Sequence, residues 1–363
     1  MIRFLIAILV LLFLPSAWSA FHNYDIEDGL SQSVVFDIVQ DQQGFMWFST
    51  QAGLNRYDGN KFTVFTASDE TNSLANNYIY PLALDSESQL FIGTRNSGVN
   101  QLALHNYQFS EPLLKERRIT SLLVAQQHVY IGTYDGSLFR YDKRTQQLER
   151  LITDLKKPIY ALSKIADILW IGTHGAGLLH YDLINKQQIN TIFSGFAEPV
   201  DIHASIFAIK QAADGSIWLA SQGGGLYKIE LSTKTMTQWL TSNDGGVGLS
   251  SNEIRDIEFD SQGQVWLATR GGGINVYDPI NASFTVLAHD PFDKYSLAHN
   301  RVYSIYRDSS DIMWFGTANG ISKLDPASLQ FSKLKKPAPL SSNDAWALFE
   351  DSKQRIWYGS WGG

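Results

Sequence analysis

One short motif recurs eight times along this 363-residue sequence: an aromatic residue, an apolar residue or Ser-preceding aromatic, a small residue, then Thr or Ser. The copies are Trp47-Phe48-Ser49-Thr50, Phe91-Ile92-Gly93-Thr94, Tyr130-Ile131-Gly132-Thr133, Trp170-Ile171-Gly172-Thr173, Trp218-Leu219-Ala220-Ser221, Trp266-Leu267-Ala268-Thr269, Trp314-Phe315-Gly316-Thr317 and Trp357-Tyr358-Gly359-Ser360. Their leading aromatics are 44, 39, 40, 48, 48, 48 and 43 residues apart. A period of about 40 to 50 residues marks propellers and solenoids, in which each repeat is one supersecondary unit. Aromatics are only 13% of the chain, so their place at the head of every copy is a structural demand.

The sixth copy shows what the unit is. Val265 to Asp278, V-W-L-A-T-R-G-G-G-I-N-V-Y-D, reads as two short strands around a glycine corner. Gly271, Gly272 and Gly273 are expected to supply the positive φ of a tight reversal. In the first copy the unit extends to four strands: A over 34–40, B over 45–50, C over 54–58 and D over 61–66, with a turn at Asp41 to Gly44. Asp with Gly three residues later, here and at Asp260 to Gly263, suits a type I turn. Many strands are apolar on both faces, as stacked sheets require. No segment of ten or more residues shows apolar spacing of 3.6, which excludes helical repeats.

The expected fold is therefore all-β: a seven-bladed β-propeller of four-stranded blades over residues 20–335. Seven copies run from about Leu30 to Leu334; an eighth begins near Leu340 and stops at Gly363, within its B-to-C corner. Residues 336–363 would be a partial eighth repeat, the start of a second propeller or a part of ring closure. Phe21 to Ile26 resembles a D strand, which predicts that it completes a blade whose other strands come from the C-terminal side. A half-made blade leaves open edges that invite aggregation, so the chain is expected to be a piece of a longer protein.

Residues 1–19 read as a signal peptide: Arg3, an apolar run from Phe4 to Leu14, then Ala17-Trp18-Ser19 as the cleavage site. Eleven apolar residues are too few for a bilayer core that needs about 20. Export to the periplasm is the expected localisation. With no cysteine, the chain has neither disulfides, Cys nucleophile nor Cys-ligated metal. A net charge of −7 without a Lys/Arg stripe argues against nucleic acid. The eight histidines lack ligand spacing, so no metal or cofactor is expected. The glycine runs precede strands rather than helices and cannot cradle phosphate.

The full repeat, L-S-x-N-x-V-x-x-I-x-x-D-x-x-G-x-[apolar]-W-[apolar]-G-T-x-x-G-[apolar]-x-x-Y-D, resembles the two-component regulator propeller repeat. It is clearest at Leu30 to Asp58, Leu249 to Asp278, Leu297 to Asp325 and Leu340 to Gly363. Repeats three and four lack its leading Leu-Ser-x-Asn. The resemblance implies an exported sensor region with two consecutive propellers, then a β-sandwich, a membrane helix and a histidine kinase or diguanylate cyclase output. It implies membrane contact only through those absent segments, and leaves room for a homodimer of the full-length receptor.

If A and C run one way and B and D the other, the D-to-A and B-to-C loops share a face, the natural binding surface. The residue after each Gly-Thr differs from copy to copy: Gln51, Arg95, Tyr134, His174, Gln222, Arg270, Ala318 and Trp361. Arg95, Tyr134, His174, Gln222 and Arg270 are the candidate ligand-binding ring, with the arginines able to hold a carboxylate or sulfate bidentately. Asn77, Asn252, Asn300 and Asn343 are read as turn caps. Trp47, Phe91, Tyr130, Trp170, Trp218, Trp266, Trp314 and Trp357 are read as blade core. Catalytic residues are not singled out. The expected function is a ligand-sensing module taking a small molecule or oligosaccharide; the alternatives are a secreted glycan lyase or hydrolase, and a protein-interaction scaffold.

Overall fold

The computed structural model describes residues 21–69, 72–153, 155–189, 192–196, 202–241, 248–330, 345–351 and 356–360. Among them, seven antiparallel sheets have four strands each. In the first blade these are A (Val35–Gln40), B (Met46–Thr50), C (Gly53–Tyr57) and D (Phe62–Phe65). Five further blades keep this order along the chain.

The seventh blade is made differently. Its strands A (Val302–Arg307), B (Met313–Thr317) and C (Gly320–Leu324) are completed by His22–Tyr24, which pairs with strand C through His22–Lys323 and Tyr24–Ile321. The N-terminal strand thus closes the ring, as its likeness to a D strand predicts. Phe21 is 2% exposed with its ring 5.8 Å from Phe315, and Tyr24 stacks 6.2 Å from Trp314. The compact unit spans Ser19–Pro326. A separate hairpin, Ala345–Glu350 with Ile356–Ser360, contributes no strand to the seven sheets. Residues 1–20, including the signal-peptide reading, lie outside the described residues.

The core sits between blades. Trp47 packs against Leu74, Ile79, Leu90 and Ile92 of the second blade, while Phe48 of the first packs against Trp314 and Ile321 of the seventh. Trp47, Phe91, Tyr130, Trp170, Trp218, Trp266 and Trp314 are all exposed by 3% or less. The side chain of Trp357 lies outside what is described.

Each position of the motif has a physical reason. A buried indole N–H needs an acceptor, and the A-to-B turn supplies it: Trp47 Nε1 donates to Asp41 Oδ2 at 2.8 Å, Trp266 to Asp260 at 2.9 Å and Trp314 to Asp308 at 2.8 Å. The other oxygen of Asp41 accepts the amides of Gln43 and Phe45, so one aspartate shapes the turn and satisfies the indole. In the second blade Phe91 has no N–H to offer. There Asp85 Oδ2 instead takes Lys143 Nζ of the third blade at 2.8 Å, in an ion pair whose side chains are 9% and 0% exposed.

The small residue allows the next blade's strand A to come close. A Cβ on Gly172 would lie 2.8 Å from Ile206 Cγ2, and one on Gly316 would lie 2.9 Å from the Val35 carbonyl across the ring closure. The hydroxyl then seals the B-to-C corner, as Thr173 Oγ1 donates to the Gly177 carbonyl at 2.8 Å and Thr269 to that of Gly273 at 2.7 Å. At this corner Gly271 and Gly273 have φ of 107° and 73°. Gly272 does not adopt positive φ, contrary to the sequence expectation; a Cβ there would meet Ser250 Oγ at 2.3 Å, so glycine is needed for space.

The D-to-A and B-to-C loops do share a face. Asn77, Asn252 and Asn300 accept the amides of Ala67, Thr241 and His289 through Oδ1 at 2.6, 2.7 and 2.7 Å. Their carbonyls accept from the preceding blade's corner, such as Gly53 N to Asn77 O at 2.8 Å and Gly271 N to Asn300 O at 3.0 Å. These asparagines are caps; Asn343 lies outside the described residues.

Candidate functional site

Strand A of each blade neighbours strand A of the blades on either side, and the first neighbours the seventh, so these strands line the axis. All seven carry a β-bulge near their start. In the first blade Val35 faces Thr50 and Asp37 faces Ser49, leaving Phe36 without a partner. The same slip leaves out Thr120, Tyr160, Phe207, Arg255 and Tyr303, and in the second blade it falls at Tyr80-Pro81. The residue before each bulge (Val35, Ile79, Ile119, Ile159, Ile206, Ile254, Val302) is fully buried between blades. Strict alternation would send the next side chain toward the opposite neighbour; the bulge turns it to the axis instead.

The result is a collar of five aromatics, Arg255 and Thr120 around an axial cavity of about 530 Å³, a size that suits a small ligand. Strand A begins at the D-to-A loop, so the collar lies at the loop-face end of the cavity. Phe36 meets Tyr80 at 5.0 Å, Tyr303 at 5.4 Å and Tyr78 at 5.7 Å, and Tyr160 meets Phe207 at 5.0 Å.

Two arginines stand among these rings. Arg255 lies 4.0 Å over Phe207, has no hydrogen bond or ion pair among the described residues, and keeps its Nε buried. Burial, and then the nearby Arg270, push its pKa below the usual guanidinium range. It stays charged all the same. Arg118, just before strand A of the third blade, lies 4.1 Å over Tyr134 and 5.2 Å over Tyr80, and donates to the Tyr80 hydroxyl at 3.2 Å. Its Nε is likewise buried without a partner. Blades three and six stand across the ring from each other, and Tyr160 feels both charges: burial raises its pKa, while Arg118 and Arg255 oppose that rise.

One residue beyond the bulge are Asp37 and Asp256. Each binds its own strand through Oδ1, and through Oδ2 accepts an amide from the next blade: Leu82 N at 2.8 Å and Ile305 N at 2.9 Å. Burial pushes Asp37 up to about 7 and Asp256 up to about 6. Further along, Lys210 pairs with Glu258 at 2.6 Å; the surrounding carboxylates outweigh its burial and hold its pKa up. Lys210 is enclosed by protein, yet 38% of its side chain still meets the channel space. No group of three or more His, Cys, Asp or Glu side chains able to hold a metal occurs among the described residues.

The five residues of the sequence-derived ring sit on the same face, outside this collar. Arg95 lies 4.8 Å over Tyr78, and Tyr134 is the platform under Arg118. His174 packs against Tyr160 at 5.9 Å and Phe207 at 6.4 Å. Gln222 is half buried, its backbone bridged to Glu253. Arg270 is exposed and paired with Glu253 at 3.4 Å. His174 therefore touches the collar directly, while Arg95 and Tyr134 pack on Tyr78 and Arg118 beside it. The collar residues themselves were not singled out from the sequence, although a spacing signal exists: Phe36 precedes Trp47 by eleven residues, and Tyr80, Phe207, Arg255 and Tyr303 keep that distance from Phe91, Trp218, Trp266 and Trp314.

Comparison with known proteins follows the same repeats. The chain matches the two-component regulator propeller family at residues 29–52, 248–271, 296–319 and 339–362. It is similar to histidine kinase P4 of Formosa agariphila, 42% identical over 53 residues, which cover 15% of this chain and 4% of that protein. Among solved structures, it is similar to the extracellular domain of a hybrid two-component system from B. thetaiotaomicron, with a TM-score of 0.74, 22% identity, and coverage of 94% of this chain and 47% of that one. A second extracellular domain from B. thetaiotaomicron, of a one-component system, gives a TM-score of 0.70, 21% identity, and coverage of 94% and 45%. The chain thus spans about half the length of these two structures, and at such identities the likeness is one of fold. In these four stretches the chain carries the repeat of the two-component regulator propeller.

Proposed function

We propose that this propeller is the extracytoplasmic ligand-sensing module of a signal-transduction receptor. It takes a small molecule or oligosaccharide at the axial collar and biases an output module, a histidine kinase or diguanylate cyclase, encoded beyond this chain. Residues 1–19 direct export, and residues 336–363 begin a second propeller. The observation that carries this reading is the collar: seven bulges that each spend a ladder position to aim one side chain at the axis, on the face where the loops gather. Rings with exposed faces and polar rims suit sugars and other amphipathic rings. The similarity to histidine kinase P4 and to the extracellular domains of a hybrid two-component and a one-component system favours a signalling context.

A glycan lyase or hydrolase would need an acid and a base facing the substrate. The two carboxylates next to the collar, Asp37 and Asp256, spend both oxygens on backbone amides that tie neighbouring blades together. That makes them staples rather than catalysts.

The test is a thermal-shift screen of mono- and oligosaccharides against the wild type and Tyr303→Ala, with the compounds analysed afterwards. The sensing reading requires a compound that stabilises the wild type, loses that effect in the variant, and is recovered intact. Cleavage of such a compound, or stabilisation unaffected by Tyr303→Ala, overturns it.

A further inference from the structure

The collar carries guanidinium charge that no ion pair among the described residues answers. A guanidinium has five N–H donors, and protein sites meet most of them. Arg255 has no hydrogen bond or ion pair among the described residues, and its Nε is buried. Arg118 has one hydrogen bond, to the Tyr80 hydroxyl, and its Nε is also buried and unmet. Glu253 offsets part of the Arg255 charge through space, but its ion pair is with Arg270, at 3.4 Å. Among the described residues neither Arg255 nor Arg118 has an ion-pair partner, and both line the same cavity.

Their placement suits an anion. Each guanidinium carbon sits over the face of an aromatic ring, 4.0 Å from the Phe207 centroid for Arg255 and 4.1 Å from the Tyr134 centroid for Arg118. Cation–π contact fixes the plane of the fork while leaving its edge free, and a fixed fork matches a carboxylate or sulfate bidentately. The walls between the two arginines are rings, with Tyr160 and Tyr303 half buried and edging the cavity.

We propose that the ligand of this collar is an acid: a six-membered ring bearing a carboxylate or sulfate, gripped at its charged group by Arg255 with Arg118 opposite, its ring lying against Tyr160 and Tyr303. The proposal rests on the sensing reading above and names its ligand class. Two sources share this chemistry, an acidic sugar and an aromatic acid. The axial position and the hydrogen-bonding groups along the strands favour the sugar.

The arginine Nε–Hε resonances of the isotope-labelled propeller give a direct test, titrated separately with sodium glucuronate, sodium benzoate and glucose at matched ionic strength. Arg255 is assigned by the signal missing in Arg255→Lys. Glucuronate is expected to move the Arg255 resonance while glucose leaves it in place. Arg255→Ala, which removes no internal hydrogen bond, should stay folded and weaken glucuronate about tenfold or more, as loss of a charge-assisted bidentate contact does. Movement with benzoate but not glucuronate keeps the acid and changes its source. If neither acid moves an arginine signal, or Arg255→Ala binds glucuronate like the wild type, the acid proposal is overturned. Glucose binding that Tyr303→Ala abolishes, without a response to either acid, would sink this proposal alone and leave the sensing reading standing.

Discussion

The guanidinium of Arg255 lies 4.0 Å above the ring of Phe207, from which it gains orientation but no hydrogen bond. Both residues occupy the bulged position of strand A, in adjacent blades. The bulge that turns Phe207 to the axis provides the platform, and the bulge in the next blade sets the arginine on it. A site built this way belongs to the scaffold rather than to loop tips, and it is pre-ordered before any ligand arrives.

The scaffold can be tested at the Trp266–Asp260 contact of 2.9 Å. Asp260→Ala leaves a buried indole N–H unmet and takes an acceptor from the turn amides of Gln262 and Gln264. It is expected to cost about 2 kcal/mol in urea denaturation. A loss below about 0.5 kcal/mol would mean that the aspartate only fills the turn.

Blade spacing is tested at Gly172, whose added Cβ would meet Ile206 Cγ2 and the Ile206 carbonyl, both at 2.8 Å. Because φ there is not left-handed, the whole penalty is steric. Gly172→Val is expected to lower stability by about 1 to 3 kcal/mol or more, with Gly172→Ala milder. Equal and negligible effects on the urea midpoint would show that the blades can part without cost.

Ring closure depends on a strand that begins two residues after the expected signal cleavage at Ser19. Phe21 is 2% exposed, and its amide donates to the Tyr295 carbonyl at 2.8 Å. Phe21→Ala is expected to cost about 3 to 5 kcal/mol, as truncating a buried aromatic does. Hydrogen exchange should then rise first in strands A to C of the seventh blade. Uniform loosening of all blades would contradict closure at this seam.

A pH dependence follows from Asp37. Burial pushes its folded pKa up to about 7, above the value of about 3.9 for an unfolded aspartate. The folded state therefore holds this proton more tightly. The associated stability is present in full below about pH 4 and is lost as pH rises through about 7. Asp37→Asn removes that dependence while keeping one of two acceptors, so a fixed offset is added. The melting temperature of the variant minus that of the wild type should grow from pH 5 to pH 8. A flat or shrinking difference would show that Asp37 is ionised throughout.

The blades were legible in the sequence because backbone chemistry sets each motif position: the aromatic between sheets, the small residue under the next strand A, the hydroxyl on the corner carbonyl. Those demands repeat in every blade, so they surface as a period. The closing strand was legible for the same reason, since Phe21 to Ile26 follows a D strand's pattern. The collar was hidden by register. Phe36 sits between Val35 and Asp37 in a run that alternation alone would bury, and only the slip against Thr50 and Ser49 shows that it faces the axis. Variation after Gly-Thr pointed to the face that also carries the collar but one layer outward, to residues such as Tyr134 and His174 that pack beside it.

That difference of one layer decides the most direct measurement: calorimetric titration of glucuronate into the wild type, Arg255→Ala and Arg270→Ala. Among the described residues Arg255 has no ion-pair partner, whereas Arg270 is an exposed partner of Glu253, a kind of ion pair worth about 0.2 to 1 kcal/mol. If the collar is the site, Arg255→Ala weakens binding about tenfold or more while Arg270→Ala changes it about twofold at most. The reverse order, with Arg270→Ala abolishing binding and Arg255→Ala leaving it intact, would place the site on the loop tips and contradict an axial collar.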